Sequence, residues 1–151
     1  MSTTLTSQID IDASPQRVWH VLTDLSAFPD WNPFIVRAGG RIEVGGKLTL
    51  RMQPVGGRAV TLKPTVIEAV DGSRLRWRGT VGIPGLLDAD HVLELAPLDG
   101  GGTRLHHDEH FHGLLVPLMA KSVHRRTLPA FEAMNQALKH RAERAGTGVD
   151  D

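Results

Sequence analysis

Between Ile35 and Phe111 glycine interrupts the chain every few residues. The breaks are "GG" at 39–40 and 45–46, "PVGG" at 54–57, "DG" at 71–72, "IPG" at 83–85 and "DGGG" at 99–102. A chain broken this often has no room for helices of ordinary length. The intervening pieces, "KLTLRMQ", "AVTLKPTVIEAV", "RLRWRGTV", "DHVLELAP" and "TRLHHDEHF", read as strands instead. Short consecutive strands joined by tight turns form an antiparallel meander. In "RLRWRGTV", Leu75, Trp77, Gly79 and Val81 face one way, and Arg74, Arg76 and Arg78 face the other. One face of this sheet is therefore wet. The arginine stripe reads as a solvated face that Glu94, His106, Asp108 and His110 can balance.

The flanks supply what the sheet lacks. "TLTSQIDID" alternates, with Leu5, Ser7, Ile9 and Ile11 on one side, and so predicts a half-buried strand. In "ASPQRVWHVLTDL", Ser14 can cap a helix that Pro15 opens, and Val18, Val21, Leu22 and Leu25 form its apolar stripe. "SAFPDWNPF" holds two prolines and can make only a short helical turn and a bend. "VPLMAKSVHRRTLPAFEAMNQALKHRAERA", 116–145, predicts one long helix with Leu128, Phe131, Met134, Leu138 and Ala142 in a stripe; Pro129 should kink or divide it. A curved sheet with one apolar face needs a cover, and the last helix is the one large element available. The expected fold is α+β: a seven-stranded curved antiparallel sheet wrapped around a long C-terminal helix, with two short helices after strand 1. It forms one domain over 1–145, and 146–151 is expected to be a disordered tail.

Composition removes several classes of function. Lys+Arg and Asp+Glu both number 17, so no overall basic field favours nucleic acid or an anionic membrane, although local patches remain open. There is no cysteine, which excludes disulfides and thiolate metal sites. The first residues, "MSTTLTSQIDIDASP", lack the basic start and apolar run of a signal peptide, and no window is apolar enough for a membrane span. The expectation is a cytoplasmic protein, monomer or homodimer, with no nucleic-acid partner and no integral membrane association.

"TRLHHDEHFHG", 103–113, concentrates the ionisable chemistry. On a strand, Leu105, His107, Glu109 and Phe111 share one face, and His106, Asp108, His110 and His112 the other. The first set, with its leucine and phenylalanine, should face inward. His110 and His112 would have Cα atoms about 6.6 Å apart and could chelate a metal weakly with Asp108. No further ligands converge there, so no metal site and no cofactor are expected. "DHVLELAPLDGGGTRLHHDEHF" reads as a hairpin. If Leu95 faces Leu105, then Leu93 faces His107 and His91 faces Glu109; a one-residue slip would turn the polar face inward. His91 and Glu109 then form a candidate acid–base couple, able to remove a proton from carbon and deliver one to oxygen. The same pair could instead anchor a ligand's polar end or satisfy each other structurally.

"IDIDASPQRVWHVLTDLSAFPDWNPFI" closely resembles the opening of the START-like (SRPBCC) superfamily, in its polyketide cyclase/dehydrase and lipid-transport-like branch. "LRWRG" at 75–79, "GLLDADHVLEL" at 85–95, "GTRLHHDEHFHGLLVPL" at 102–118 and "FEAMNQALKHRAE" at 131–143 follow in that branch's order. The resemblance implies the helix-grip fold and an apolar cavity between sheet and long helix that holds a hydrophobic small molecule. On that fold the lining set would be Trp31, Phe34, Met52, Trp77, Leu93, His107, Phe111, Met119, Phe131 and Met134. The leading expectation is binding of a lipid, isoprenoid or polyketide-like compound. The alternatives are a cyclase or dehydratase using His91 and Glu109, and an interaction protein with a filled interior.

Overall fold

Alternation along the first strand, β1 (Ser2–Ile11), buries Leu5 and Ile11 and leaves Thr4, Thr6, Gln8 and Asp10 exposed. This is seen in the computed structural model of the protein, which describes residues 2–146. In α1 (Pro15–Thr23) the Ser14 hydroxyl accepts the Arg17 N–H at 3.1 Å, and Val18, Val21 and Leu22 turn inward. A 3₁₀ turn (Leu25–Ala27) and α2 (Phe28–Trp31) follow. Asn32 then fixes the exit, its side-chain oxygen accepting the N–H groups of Phe34 and Ile35 at 2.9 and 2.8 Å.

The strands that follow are β2 (Ile35–Gly40), β3 (Leu48–Met52), β4 (Val60–Leu62), β5 (Thr65–Val70), β6 (Arg74–Val81), β7 (Leu87–Pro97) and β8 (Thr103–His112). The described residues thus hold eight strands, one more than the sequence predicts. "AVTLKPTVIEAV" reads as a single strand but is split at Lys63–Pro64, because proline has no N–H for a ladder. β4 pairs with β3, and β5 pairs with β6. The sheets run β1-β8-β7-β6-β5 and β2-β3-β4. They are tied at the break, where Leu48 N–H donates to Pro64 O and Val66 N–H donates to Gly46 O.

The wet face is neutralised across strands, although not as the sequence suggests. Arg74 bonds Glu94 at 2.6 Å and meets Glu68 at 3.2 Å, Arg76 bonds Glu68 and Asp90, and Arg78 Nε meets Asp90 at 2.6 Å. Glu94 is an expected partner, whereas β5 and β7, rather than β8, supply the rest. Asp90 is buried beneath its arginines, and Arg78 foremost holds its carboxyl down to about 2.

The chain closes with α3 (Val116–Gly146). Phe131, Met134, Leu138 and Ala142 are buried at helical spacing, and the helix packs mainly across β1 and α1. It runs through Pro129 without dividing. One turn earlier, Arg126 O accepts the Val55 N–H at 3.1 Å, which ties the β3–β4 loop to the helix. Before α3, Leu114 and Leu115 N–H groups donate to Gly85 and Leu86 carbonyls. Gly113 allows that approach: its φ is 130°, and a Cβ there would lie 2.4 Å from Leu86 O. The tail expected at 146–151 lies outside the described residues except for Gly146, which ends α3.

Candidate functional site

Hairpin register brings the inward ionisable groups together. β7 and β8 pair Leu95 with Leu105, Leu93 with His107 and His91 with Glu109, the parity that burial demands. Neighbouring registers place Leu5 beside Glu109, Ser7 beside His107 and Trp77 beside His91. Leu5, Glu109, His91 and Trp77 therefore form one row across four strands. His91 and His107 are fully buried, and Glu109 is 8% exposed.

Aromatic rings enclose the imidazoles. Trp77 stacks on His91 with centroids 4.5 Å apart. Phe131, from α3, lies parallel to His107 at 4.1 Å and tilts over His91 at 5.1 Å. This burial holds both imidazoles neutral: His91 is pushed down to about 3 and His107 well below its ordinary value. The same desolvation raises Glu109 to about 8, so at neutral pH its carboxyl keeps a proton.

Hydrogen-bond directions fix where the protons sit. The Ser7 hydroxyl donates to His107 O at 2.8 Å, so Ser7 Oγ accepts from the Asn135 amide nitrogen at 3.0 Å. The Asn135 amide oxygen then faces His107 Nδ1 at 2.7 Å, and Nδ1 must carry hydrogen. His107 Nε2 is left as an acceptor, and His91 Nε2 donates to it at 2.7 Å. His91 Nδ1 is consequently a bare lone pair. It is buried with no hydrogen-bond partner among the described residues and lies 3.7 Å from Glu109 Oε2, too far for a hydrogen bond. The arrangement is a directed chain from Ser7 through Asn135, His107 and His91, ending in an open acceptor that faces a protonated acid.

Sequence reasoning missed Asn135. Its signal is an amide between Met134 and Leu138 on the apolar stripe, where polar side chains are rare. Asn135→Leu should cost about 1–3 kcal/mol, because it strands His107 Nδ1 and Ser7 Oγ. Urea denaturation measures the loss. Nitrogen NMR of the imidazoles should show His107 protonated on Nδ1 in the wild-type protein and no longer locked in that tautomer in the variant.

A cavity of about 80 Å³ opens beside this chain, walled by residues that include Met52, Leu62, Trp77, Leu87, Glu109 and Phe111. Among the described residues Glu109 is the one ionisable side chain on its wall; His91, between Glu109 and Trp77 in the row, does not line it. The cavity lies between β3–β4 and the facing ends of β6, β7 and β8. It does not lie under the middle of α3, where Phe131, Met134 and Leu138 fill the space. Of the expected lining set, Met52, Trp77 and Phe111 reach the cavity. Leu93, His107, Phe34, Phe131 and Met134 are buried core, and Met119 packs against its edge. Trp31 sits apart in a small recess with Arg17, His20 and Arg141. A wider groove of about 640 Å³ between α1 and β2 carries no comparable cluster. Among the described residues no three His, Asp or Glu side chains converge as a metal-ligand set, and His110 pairs with Thr4 instead. No described helix is long and apolar enough to cross a membrane.

The sequence profile described as "Polyketide cyclase / dehydrase and lipid transport" matches residues 2–143. The chain belongs to the polyketide cyclase/dehydrase and lipid transport family. Solved structures repeat the fold of this family member. A Zhui aromatase/cyclase from a Streptomyces species superposes with a TM-score of 0.79 at 18% identity, over 99% of this chain and 100% of that one. A norcoclaurine synthase from Thalictrum flavum gives 0.74 at 14% identity, over 96% of each chain. A START superfamily protein from Mycobacterium smegmatis gives 0.72 at 20% identity, over 94% of this chain and 98% of that one. At these identities the likeness concerns the fold alone. No curated protein sequence matches the chain.

Proposed function

We propose that this family member binds a hydrophobic small molecule, of the lipid, isoprenoid or polyketide-like kind, in the cavity over Trp77, Phe111 and Glu109. The observation that carries this reading is a buried acid, kept protonated at neutral pH by desolvation, as the single ionisable group on a wall that is apolar except for Thr80. A neutral carboxyl offers a hydrogen bond to a ligand's carbonyl or hydroxyl oxygen without presenting a buried charge. Family membership and the fold shared with a START protein and an aromatase/cyclase support the reading. At about 80 Å³ the closed cavity is well below the ~300 Å³ or more typical of ligand sites. Binding therefore requires the β3–β4 hairpin, which brings Met52 and Leu62, to part from the ends of β6, β7 and β8.

A second reading rests on the bare Nδ1 of His91, 3.7 Å from Glu109. In a cyclase or dehydratase, Glu109 would touch the substrate and give its proton to a departing or carbonyl oxygen. His91 would hold and orient that carboxyl from behind. Native against denaturing mass spectrometry of the purified protein tests the first reading, followed by titration with fatty acids and aromatic polyketides. The expected result is a mass excess that vanishes on denaturation, and an affinity roughly tenfold weaker in Glu109→Met, which removes the donor, the worth of one good hydrogen bond. No excess and no uptake would overturn binding. Turnover abolished in Glu109→Gln with affinity intact would favour the enzyme.

A further inference from the structure

Three stretches converge where the cavity opens: the β3–β4 hairpin, the β6–β7 loop, and the segment leading from β8 into the first half of α3. Backbone bonds tie them together, Val55 to Arg126 and Leu114 and Leu115 to Gly85 and Leu86. Met52, Leu62, Val81, Leu87 and Phe111, at the ends of these stretches, wall the cavity.

Their surface is unlike the rest of the protein. Leu118 is 83% exposed, Leu114 80% and Ile83 68%, and Val55, Val60 and Val81 stand about half exposed beside them. Single exposed apolar side chains are ordinary, but six around one opening are not. Charge segregates there as well. Residues 51–63, 81–87 and 113–126 contain Arg51, Arg58, Lys63, Lys121, Arg125 and Arg126 and no acidic residue, in a chain of zero net charge. All 17 acidic residues lie elsewhere. Leu118, Lys121 and Arg125 follow one another at helical spacing and are all exposed, so one stripe of α3 presents both chemistries.

We propose that this rim docks the protein on an anionic lipid surface, with Ile83, Leu114 and Leu118 entering the interface and the basic side chains meeting headgroup phosphates. The pairing of bare leucines with uncompensated bases fits a lipid–water boundary, which takes apolar side chains inward and cations at the headgroups. An acidic protein partner would satisfy the bases but leave Leu114 and Leu118 needing a matching apolar pocket. Docking at this end faces the cavity mouth toward the lipid, so an apolar ligand passes between the two without crossing water. The inference goes beyond the binding reading and stands on different residues.

Co-sedimentation with vesicles tests it. Vesicles of roughly three parts phosphatidylcholine to one part phosphatidylglycerol should carry the protein down, and phosphatidylcholine alone much less, with salt weakening the anionic case. Leu118→Ser together with Leu114→Ser should abolish sedimentation. Lys121→Glu and Arg125→Glu should each weaken it at least about fivefold, the worth of one basic side chain at an anionic surface. Arg41→Glu, at the opposite end of β3, should sediment as the wild type does. So should Glu109→Met, which removes the donor in the cavity and separates loss of the ligand from loss of docking. The changed side chains are exposed, and circular dichroism should show the fold intact. Absence of sedimentation with anionic vesicles, equal sedimentation with neutral ones, or indifference to the leucine changes would overturn the proposal.

Discussion

Phe131→Ala should lower the unfolding free energy by about 3–5 kcal/mol, the usual cost of emptying a buried phenylalanine site. Phe131 has no exposed surface and joins α3 to the sheet through His107 at 4.1 Å and His91 at 5.1 Å, and to the segment before β2 through Phe34 at 5.4 Å. Its loss leaves a hole that the stacked, hydrogen-bonded imidazoles cannot collapse to fill. Two polar rings border the hole, so water should enter rather than leave it dry. Hydration would relieve the desolvation that keeps His91 and His107 neutral and bring both back toward ordinary histidine values. The variant should therefore be weaker overall but lose less of its remaining stability between pH 6.5 and 5 than the wild type. Urea denaturation at two pH values reads both effects. A loss below about 1 kcal/mol would mean that Phe131 does not carry the α3–sheet contact.

How much of this could be read from the sequence follows from the periods involved. Alternation has a period of two, and in "TRLHHDEHF" a single parity buries Leu105 and Phe111 together. The same parity necessarily buries His107 and Glu109, and the facing strand then sets His91 opposite Glu109. That part of the site was legible because register is an all-or-none choice. The strand break at Pro64 was legible in principle, since proline cannot donate to a ladder, but the apolar residues on either side masked it. Asn135 and the position of the cavity were not legible. Both depend on how α3 rolls across β1, which places Phe131 over the imidazoles and fills the space expected for a ligand. The helical stripe gives the buried face of α3, not what that face meets. The outer arginines show the same limit. Their side of the sheet and the consecutive order of β5, β6 and β7 were clear, but setting Asp90 and Glu68 beside them takes the register of both hairpins, and the β5–β6 register shifts between Val66 and Glu68.

The wild-type protein should be most stable near pH 6.5, and Glu109→Gln should remove the decline on the alkaline side. Glu109 binds its proton more tightly folded, at about 8, than unfolded, near 4.5. Its contribution is therefore complete below pH 4.5 and is lost as pH rises toward 8. His91, pushed from 6.5 to about 3, works the other way, and so does His107. Their contribution is complete above pH 6.5 and is lost as pH falls, because the unfolded chain takes up protons that the folded core refuses. Each group changes stability by about 1.4 kcal/mol per pH unit within its own window. Between pH 4.5 and 6.5 the two histidines outweigh the one acid, and stability rises with pH. Between 6.5 and 8 Glu109 acts alone among the three, and stability falls by about 2 kcal/mol. The substituted amide keeps the shape of the carboxyl and an N–H to offer His91 Nδ1 but has no proton to lose, so the variant should be level over that range while keeping the acid-side loss. Urea midpoints taken from pH 5 to 8 would show this. A wild-type curve already level from 6.5 to 8, or an alkaline decline that survives the substitution, would mean that Glu109 is ionised in the folded protein. The cavity would then present a carboxylate, and a ligand with a cationic end would replace the neutral one proposed above.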